Sequence, residues 1–278
     1  MKRILISGLN GYIGTAFEKW MLNYHADEYK VEKIDLRNEE WKLVDLSVYE
    51  CIVHLASIVH SSNTPDSKYF EVNSTLTVDF ATKAKQSGVK HFIFFSSLSV
   101  YAKEERFINQ YTSPLPYNAY GKSKLEAELN LIPLENEDFK IAIIRPPMVY
   151  GPNCPGNFKK LVKLSKFLPF FINVKNKRSM IYIDNLCTLL FQTIKNNNRG
   201  ILLPQNKEYV KTTSIYFEVK LNQNKKFVLL PFKFPNFLFY KIGVLNKVFG
   251  DLVVDQSISM KYPEDKHVDF KKSIKQSM

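Results

Sequence analysis

Residues 2–14 read KRILISGLNGYIG. The first six residues form a short apolar run that predicts a buried strand, and the periodic segment from Tyr12 to about Tyr24 predicts a helix. Glycines stand at positions 8 and 11 of the turn between them and at position 14 in the first turn of the helix. Such a turn lets the backbone approach a pyrophosphate closely, and the helix N-terminus supplies N–H donors. We therefore favour the first half of a dinucleotide-binding βαβ unit over an incidental loop.

Strand and helix signals alternate through the following sequence. Strand-like runs occur at Ile4–Ser7, Val31–Ile34, Cys51–Leu55, His91–Ser96 and Ile141–Arg145, and helical segments at about 12–24, 69–87 and 117–131. This alternation predicts an α/β fold with a right-handed, doubly wound, Rossmann-type parallel sheet. We expect residues 1–150 to form the dinucleotide-binding domain and residues 151–278 to form mainly a smaller C-terminal substrate-binding lobe.

The lobe has weaker signals of its own. Residues 158–168 read as a helix, residues 179–183 read as a strand, and Asp184 is placed to cap a helix that runs to about Lys195. We expect this strand and helix, near residues 179–196, to return to the first domain.

The second strand, Tyr29–Ile34, ends at Asp35, about twenty residues after the last glycine. A carboxylate at this position can accept hydrogen bonds from an adenosine ribose and repels a 2′-phosphate. Arg37, two residues later, could instead accommodate that phosphate. We expect NAD in preference to NADP.

Tyr120 and Lys124 lie one helical turn apart, about twenty residues after the serine cluster 96–99. An ammonium near a phenol favours the phenolate, and a serine hydroxyl can hydrogen-bond the oxygen whose proton moves. Alone, the pair is better explained by a solvated helix face. Downstream of a dinucleotide loop, it predicts an acid/base device for hydride transfer.

Composition places the chain among ordinary globular proteins. It has 278 residues, 45% of them hydrophobic and 24% charged, enough for one large domain and a smaller lobe. Cys51, Cys154 and Cys187 are widely spaced and lack metal-ligand spacing, so we interpret them as buried apolar residues and expect no bound metal. With no secretory segment before the first strand, we expect a reducing cytoplasm.

The net charge of +12 would suit nucleic acid, anionic lipid or an anionic small molecule. No nucleic-acid-binding motif accompanies it, so we expect a solvated surface that favours phosphorylated ligands, and no nucleic-acid partner. Lysines and prolines interrupt the apolar stretch 227–249, which therefore cannot span a bilayer. We expect no stable membrane insertion, and we favour core packing over an interfacial helix at Phe237–Val248.

Several of these residues belong to an ordered set that covers roughly residues 1 to 200. The set comprises Gly8-x-x-Gly11-x-x-Gly14, Asp35, Asp45-Leu46, His54-Leu55-Ala56, Asn73, Ser96-Ser97-Leu98-Ser99-Val100-Tyr101, Tyr120-x-x-x-Lys124, Arg145-Pro146 through Tyr150-Gly151-Pro152, and Arg178. It resembles the extended short-chain dehydrogenase/reductases, specifically the NAD-dependent epimerase/dehydratase family that acts on nucleotide sugars. The string 145–157 is also similar to capsule and O-antigen enzymes that act on UDP-N-acetylhexosamines.

The resemblance implies a role for each matching residue. Tyr120 would be the acid/base, Lys124 would orient the nicotinamide ribose and lower the pKa of Tyr120, and Ser97 would be the serine partner. The cofactor would be bound by Gly8, Asn10, Gly11, Tyr12, Ile13, Gly14, Asp35, Arg37, Asp45, Leu46, Leu55, Ala56, Ser57, Asn73, Tyr120, Lys124 and Pro147. The substrate would be bound by Ser97, Ser99, Tyr120, Met148, Asn157 and Arg178.

Three of these roles have plain alternatives. Asn73 either holds the active-site backbone or is a helix-capping or core amide. Arg178 would clamp the substrate diphosphate, the alternative being a surface ion pair. Asn157 either reaches the nucleotide or caps the helix that follows it, and we favour the cap.

Departures from the family pattern narrow the activity. Related 4,6-dehydratases have Asp-Glu directly after the catalytic hydroxyl residue, where this chain has Leu98 and Ser99, so we do not expect dehydration. We favour a 4-ketoreductase of a UDP-2-acetamido-6-deoxy-hexose in surface polysaccharide synthesis over a UDP-hexose or UDP-N-acetylhexosamine 4-epimerase. A catalytically silent NAD(H)-binding module is a third interpretation. The resemblance also implies a homodimer.

Overall fold

The computed structural model describes residues 1–59, 64–231, 250–263 and 266–278. The chain divides into two compact units: the first comprises residues 1–104, 112–146 and 187–204, and the second comprises residues 105–111, 147–186 and 205–278. The interfacial helix considered at Phe237–Val248 lies outside the described residues.

The first unit is built on a parallel sheet of six strands, as the alternation of signals predicts. The strands are β1 (Lys2–Ser7), β2 (Tyr29–Ile34), β3 (Cys51–His54), β4 (His91–Phe95), β6 (Lys140–Ile144) and β10 (Gly200–Leu202). They lie in the order β2-β1-β3-β4-β6-β10. The inner strands are buried along almost their whole length because helices cover both faces of the sheet. The prediction of a doubly wound Rossmann-type sheet is confirmed.

Helices on the two faces bury different parts of this sheet. They are α1 (Tyr12–Tyr24), α2 (Asp66–Phe70), α3 (Leu76–Gln86), α4 (Ala119–Leu131) and α6 (Ile183–Lys195). On one face, Trp20 of α1 contacts Phe191 of α6, with ring centroids 5.7 Å apart. On the other face, Phe80 of α3 and Leu131 of α4 are fully buried against the strands. The segment predicted as one helix over 69–87 is three pieces, because the π-helical turn Glu71–Thr75 separates α2 from α3.

Strand order fixes where a ligand can approach. The chain winds from β1 outward to β2, then crosses back to β3 on the other side of β1. Loops leaving the carboxyl ends of β1 and β3 therefore diverge and leave a crevice, the usual ligand position in open α/β sheets. The glycine turn follows β1, and residues 55–58 follow β3.

The second unit consists of short pieces. Its strands are β5 (Phe107–Ile108), β7 (Met148–Tyr150), β8 (Phe170–Asn173), β9 (Met180–Tyr182), β11 (Val228–Pro231) and β12 (Val253–Val254), which pair as β5 with β12, β7 with β9, and β8 with β11. Its helices include α5 (Asn157–Phe167), α7 (Thr212–Asn222) and α8 (Phe270–Gln276).

Two expectations about this region differ from the structure. The strand expected near 179–183 pairs with β7 in the second unit, and β10 takes the position beside β6 in the large sheet. Helix α6 begins at Ile183, so Asp184 lies inside its first turn and is not the N-cap. The carboxylate still suits that position because the helix N-terminus carries partial positive charge. Cys51, Cys154 and Cys187 are buried thiols. Among the described residues, no helix has both the length and the apolar character needed to cross a bilayer.

Candidate active site

A cleft of about 750 Å³ lies at the carboxyl ends of β1, β2 and β3 in the first unit. Eight residues predicted to bind the cofactor line it: Gly8, Asn10, Gly11, Asp35, Arg37, Leu55, Ala56 and Ser57. The cleft lies at the divergence of the β1 and β3 loops. Its size is in the range of pockets that hold sizeable organic ligands.

The glycine turn fits a dinucleotide because side chains are excluded where the backbone must come close. Gly8 has a φ of +98°, a left-handed conformation that favours glycine. A Cβ on Gly14 would lie 3.2 Å from the Cγ2 of Ile6 and 3.3 Å from the Cδ1 of Leu55, so α1 packs directly on the sheet. The N-terminus of α1 directly follows the glycine turn, so its N–H groups lie beside the cleft to meet a phosphate.

Asp35 and Arg37 form a pair at the edge of this cleft. The Arg37 Nε lies 2.9 Å from both carboxylate oxygens of Asp35, and its backbone N–H donates to Oδ1 over 3.0 Å. These hydrogen bonds lower the pKa of the Asp35 carboxyl. The arginine side chain is 82% exposed, so it is free to swing away from the carboxylate when a ribose competes for it.

Tyr120, Lys124 and Ser97 come together as the sequence predicts. Ser97 hydrogen-bonds the Tyr120 hydroxyl, which lies one helical turn from Lys124 on α4. The Lys124 ammonium is fully buried and donates to the backbone oxygen of Phe95 over 2.8 Å. Burial lowers the pKa of Lys124 to about 7, although the nearby Glu128 carboxylate acts in the opposite direction.

The pKa of Tyr120 differs from our expectation. Burial raises it, and only the hydrogen bond from Ser97 acts to lower it. Lys124 loses part of its charge at neutral pH because it is buried, and its ammonium is directed at Phe95. In the protein alone, Tyr120 is therefore a neutral phenol, ready to give a proton rather than to take one.

Beneath this pair lies a buried ion pair that sequence reasoning missed. Glu128, one turn beyond Lys124, accepts hydrogen bonds from the Ser96 hydroxyl and from the Nε of Arg145, at 3.0 Å from Oε1 and 3.2 Å from Oε2. Arg145 also donates to the Tyr101 hydroxyl over 2.8 Å. Burial alone would lower the pKa of Arg145, but the Glu128 carboxylate outweighs it and raises that pKa.

Strand β4 and helix α4 are thus joined three times in succession. Residues 95–97 at the end of β4 each bind one residue on α4, and these α4 residues, 120, 124 and 128, share one face of the helix. The backbones also meet, because a Cβ on Gly121 would overlap the carbonyl oxygen of Ser99. We call these three links the ladder. The available sequence signal was the four-residue spacing of Lys124 and Glu128, which places both side chains on one face of α4.

A second polar network reaches the site from the cleft, and all its members are uncharged. The Ser7 hydroxyl accepts from the N–H groups of residues 55 and 56 over 3.1 Å and meets the Nδ1 of His54 at 2.9 Å. The Nε2 of His54 meets the Thr77 hydroxyl at 2.9 Å, and Thr77 donates to the Asn73 carbonyl. Because Ser7 must donate to Nδ1, the His54 proton is on Nε2. Burial lowers the pKa of His54 to about 3, which keeps it neutral.

The Asn73 side chain carries this network to the catalytic helix. It accepts from the N–H of Ile58 over 2.8 Å and donates to the carbonyl of Ile58 and to the Ser123 hydroxyl. Ser123 in turn donates to the carbonyl of Tyr120. Asn73 lies in the π-helical turn, a distortion that often marks functional positions. The fully buried amide holds active-site backbone, the first of the two alternatives considered for it.

Some predicted cofactor residues lie elsewhere. The Asp45 carboxylate closes a turn by accepting from the N–H and hydroxyl of Ser47, and Leu46 is fully buried in the hydrophobic core. Neither is among the residues that line the cleft. Tyr12 and Ile13 form the first turn of α1 behind the glycine turn. Pro147 is buried where β7 begins in the second unit, and its contact with the cofactor stays a prediction.

Two lysines in the cleft were missed. Lys42 and Lys68 line it, each paired with a neighbouring glutamate. Lys42 lies between β2 and β3, and Lys68 lies in α2, just before the helix that the sequence predicts over 69–87, so neither belonged to a recognised motif. Four carboxylates line the cleft as well, so its charged side chains are of both signs; the acids are Asp35, Glu39, Glu71 and Asp79.

A small pocket of the second unit contains the three residues of that unit predicted to bind substrate. Met148, Asn157 and Arg178 line it together with Phe158, Leu161, Met180, Thr212 and Ile215. Arg178 is not a surface ion pair: its Nη1 donates to the carbonyl of Gly250 over 2.8 Å, and burial lowers its pKa. The interpretation of Asn157 as a cap is wrong, because Gly156 occupies the N-cap and Asn157 is the first helical residue.

Comparisons with known proteins agree with this geometry. The model of the NAD dependent epimerase/dehydratase family matches residues 4–202. The UDP-glucose 4-epimerase of Vibrio cholerae is 31% identical over 288 aligned residues, covering 92% of this chain and 88% of that protein. The N-acetyl-alpha-D-glucosaminyl-diphospho-ditrans,octacis-undecaprenol 4-epimerase of Escherichia coli O157:H7 is 25% identical, covering 93% and 84%. The solved structure of the Bacillus cereus UDP-glucuronic acid 4-epimerase with NAD superposes with a TM-score of 0.76 at 19% identity, covering 99% and 97%.

Proposed function

The chain belongs to the NAD-dependent epimerase/dehydratase family, and from that premise we propose that it is a 4-epimerase of a UDP-linked hexose or N-acetylhexosamine. The observation that carries this proposal is the similarity to the Vibrio cholerae UDP-glucose 4-epimerase, which extends over 92% of the chain and so includes both units. The comparisons thereby favour the alternative that we had ranked second on sequence alone. The 4-ketoreductase stays a prediction.

We assign the steps at the sugar as follows. Tyr120, when ionised, accepts the proton of the C4 hydroxyl, and it returns that proton to the oxygen of the 4-keto sugar. Ser97 hydrogen-bonds the phenol and stabilises its ionised form. Bound NAD supplies reversible hydride transfer at the same carbon. Lys124, one helical turn along α4 from Tyr120, would contribute positive charge to the site in proportion to its protonated fraction.

Cofactor binding is assigned to the cleft of the first unit. The glycine turn and the N-terminus of α1 would hold the pyrophosphate, and Asp35 would hold the adenosine ribose after Arg37 releases it. Lys124 would bind the nicotinamide ribose. In the second unit, the buried guanidinium of Arg178 and the amide of Asn157 would hold the substrate diphosphate.

The site is built against dehydration. Removal of water from the sugar needs a further acid and a further base. The residues after Ser97 are Leu98 and Ser99, and neither side chain ionises near neutral pH. The buried carboxylate of Glu128, one turn beyond Lys124, already accepts hydrogen bonds from Arg145 and Ser96. The acid/base chemistry is thus confined to one proton at one carbon.

Two alternative substrates are each supported by one specific observation. The similarity of residues 145–157 to capsule and O-antigen enzymes supports a 4-keto-6-deoxy sugar reduced once per turnover. The similarity to the Escherichia coli epimerase supports a sugar diphosphate linked to undecaprenol. All three reactions use the same proton and hydride positions.

A direct assay separates them. The purified protein is given UDP-glucose, UDP-N-acetylglucosamine or N-acetylglucosaminyl-diphospho-undecaprenol without added reduced cofactor, and C4 epimers are resolved by chromatography. We expect epimer formation from a UDP-sugar with no net change at the reduced nicotinamide absorbance band. Turnover of a UDP-4-keto-6-deoxy sugar with NADH, and none of the others, would overturn the epimerase in favour of the reductase.

A variant tests the assignment of the acid/base. Tyr120→Phe removes only the hydroxyl, and we expect turnover to fall by about 10²–10⁴-fold while NAD binding is retained. Tyr24→Phe, which changes an exposed phenol on α1, is the matched control and should keep full activity. A fully active Tyr120→Phe protein would contradict the site as assigned.

A further inference from the structure

Charge is distributed unevenly along the second unit. From residue 139 to residue 183 the sequence contains no Asp or Glu. Its basic residues from α5 onward are Lys159, Lys160, Lys163, Lys166, Lys175, Lys177 and Arg178. Lys225 and Lys226 add to this charge just before β11. The net charge of +12 is thus concentrated here, although we had interpreted it as a generally solvated surface.

Helix α5 has two apolar sides with different surroundings. Phe158 and Val162 are buried and hold the helix to its unit. Leu164 and Phe167 point away from that side, with 48% and 74% of their surface exposed. Lys160 lies one turn before Leu164, and Lys163 one turn before Phe167, so two lysines and two large apolar side chains share one exposed stripe.

The paired strands β8 and β11 extend this stripe. Phe171 is buried and stacks on Tyr216 of α7, with ring centroids 4.7 Å apart. Side chains alternate along a strand, so Phe170 projects from the opposite face of the sheet, where it pairs with Val228. Phe170 is 49% exposed and Val228 is 59% exposed, and Leu230 on the same face is 43% exposed.

Contacts show that the stripe and the strands form one surface. Val228 donates its N–H to the carbonyl of Pro169, two residues after Phe167. The ammonium of Lys225 lies 3.5 Å from the carbonyl of Lys166 at the end of α5. We call this surface the basic apolar face. It consists of Leu164, Phe167, Phe170, Val228 and Leu230 together with Lys160, Lys163, Lys225 and Lys226.

We propose that the basic apolar face docks the protein on the surface of an anionic lipid bilayer. Exposed aromatic and aliphatic side chains ringed by lysines suit the boundary between headgroups and acyl chains: the apolar groups enter that boundary while the ammonium groups meet lipid phosphates. Two copies of this chain are a poorer fit, because pairing the face with itself would bring its own lysines together. This docking goes beyond the proposed epimerase activity and does not depend on it.

Vesicle binding tests the proposal with the full chain. Vesicles of phosphatidylcholine mixed with phosphatidylglycerol are compared with vesicles of phosphatidylcholine alone, at low and at high salt. We expect co-sedimentation with the anionic vesicles that weakens as salt rises, and little binding to the neutral ones. Equal binding to both vesicle types, or no binding to the anionic ones, would overturn the proposal.

Two matched sets of substitutions place the binding on this face. Phe167→Ser with Val228→Ser should weaken binding to anionic vesicles about tenfold, and Lys163→Gln with Lys225→Gln about fivefold for each lysine lost. Lys19→Gln with Leu22→Ser removes one charge and one exposed apolar side chain from α1 and should leave binding unchanged. All these residues are exposed, so each variant should keep its melting temperature.

Two results with these variants would refute the assignment. One is a loss of binding in the α1 variant equal to that of the face variants. The other is a wild-type dimer that becomes a monomer on Phe167→Ser with Val228→Ser, since a second copy would then occupy the face.

Discussion

Two buried polar networks support the catalytic pair, and they differ in charge. The ladder between β4 and α4 contains a lysine and a glutamate, and that glutamate is paired with Arg145; all three side chains are nearly inaccessible to water. The network from Ser7 to Ser123 contains only neutral groups, and its imidazole is held neutral by burial. Both networks end at Tyr120 or its neighbours on α4. The same helix is therefore held by charged groups in the ladder and by neutral hydrogen bonds in the other network.

The difference teaches what each network can control. Neutral hydrogen bonds fix the geometry of the groups that they join, but they add no net charge to the site. The ladder fixes geometry and also sets the protonation of Lys124, which burial discourages and Glu128 favours. We therefore expect loss of the ladder to change both stability and pH dependence, and loss of the neutral network to change mainly the fit of the cofactor loop.

Glu128→Ala should have the largest effect on stability. It leaves the Arg145 guanidinium buried without its carboxylate, and breaking a buried pair in this way costs about 3–5 kcal/mol. Urea denaturation of the protein should show this loss, with Glu126→Ala as the control, because that glutamate is exposed on the same helix. A double variant, Glu128→Leu with Arg145→Met, should recover much of the loss. If the single variant were as stable as the control, the pair would be structurally unimportant.

Lys124 should make stability rise with pH in the alkaline range. Its folded-state pKa of about 7 is below the value near 10.5 of an unfolded lysine, so between these values the unfolded chain binds the extra proton. The free energy of unfolding should therefore gain about 2–3 kcal/mol from pH 7.5 to 9.5 relative to Lys124→Met. Lys122→Met, an exposed lysine on the same helix, should keep the wild-type slope. Parallel curves for wild type and Lys124→Met would show that the ammonium is not destabilised by burial.

Sequence predicted the parts of the fold in which local signals agree. The bounds of α1 and of β2 are those expected, because the glycine turn, the helical period and the apolar run all mark the same residues. The position of β10 was not predicted. This strand is only three residues long and follows an Asn-rich turn. It forms because the backbone of Ile143 and its neighbours in β6 supplies its hydrogen-bond partners.

In the candidate site, too, local sequence signals predicted some features, and others depend on tertiary packing. Spacing predicted that Tyr120 and Lys124 share one helix face downstream of a serine cluster, and the family resemblance identified Ser97 as their partner. Spacing could not show that Lys124 would be fully buried, nor that Glu128 would be paired with Arg145, because burial and ion pairing depend on residues distant in the chain. The protonation states of Tyr120 and Lys124 therefore could be inferred only from the packed structure.

Asn73→Ala should have a moderate effect and test the neutral network directly. It leaves the N–H of Ile58 without its acceptor and Ser123 without its donor, which costs about 1–3 kcal/mol. Because Ile58 belongs to the loop that lines the cleft, NAD affinity should fall more than turnover at saturating cofactor. Asn130→Ala, an exposed amide on α4, is the control. Unchanged NAD affinity in Asn73→Ala would separate the network from cofactor binding.

His54 should give the smallest effect, and in a pH window distinct from that of Lys124. Its folded-state pKa of about 3 is below the value of 6.5 for a free imidazole, so below pH 6.5 the unfolded chain takes up a proton that the folded protein refuses. Stability is thus fully present above pH 6.5 and is lost as pH falls. Wild type should lose about 1 kcal/mol more than His54→Asn between pH 6.5 and 5.5, measured by urea denaturation. If both lost the same amount, the imidazole would be protonated in the folded protein and would donate from both nitrogens. Ser7 would then have to accept from it while also accepting two N–H groups, and the neutral network as described would be wrong.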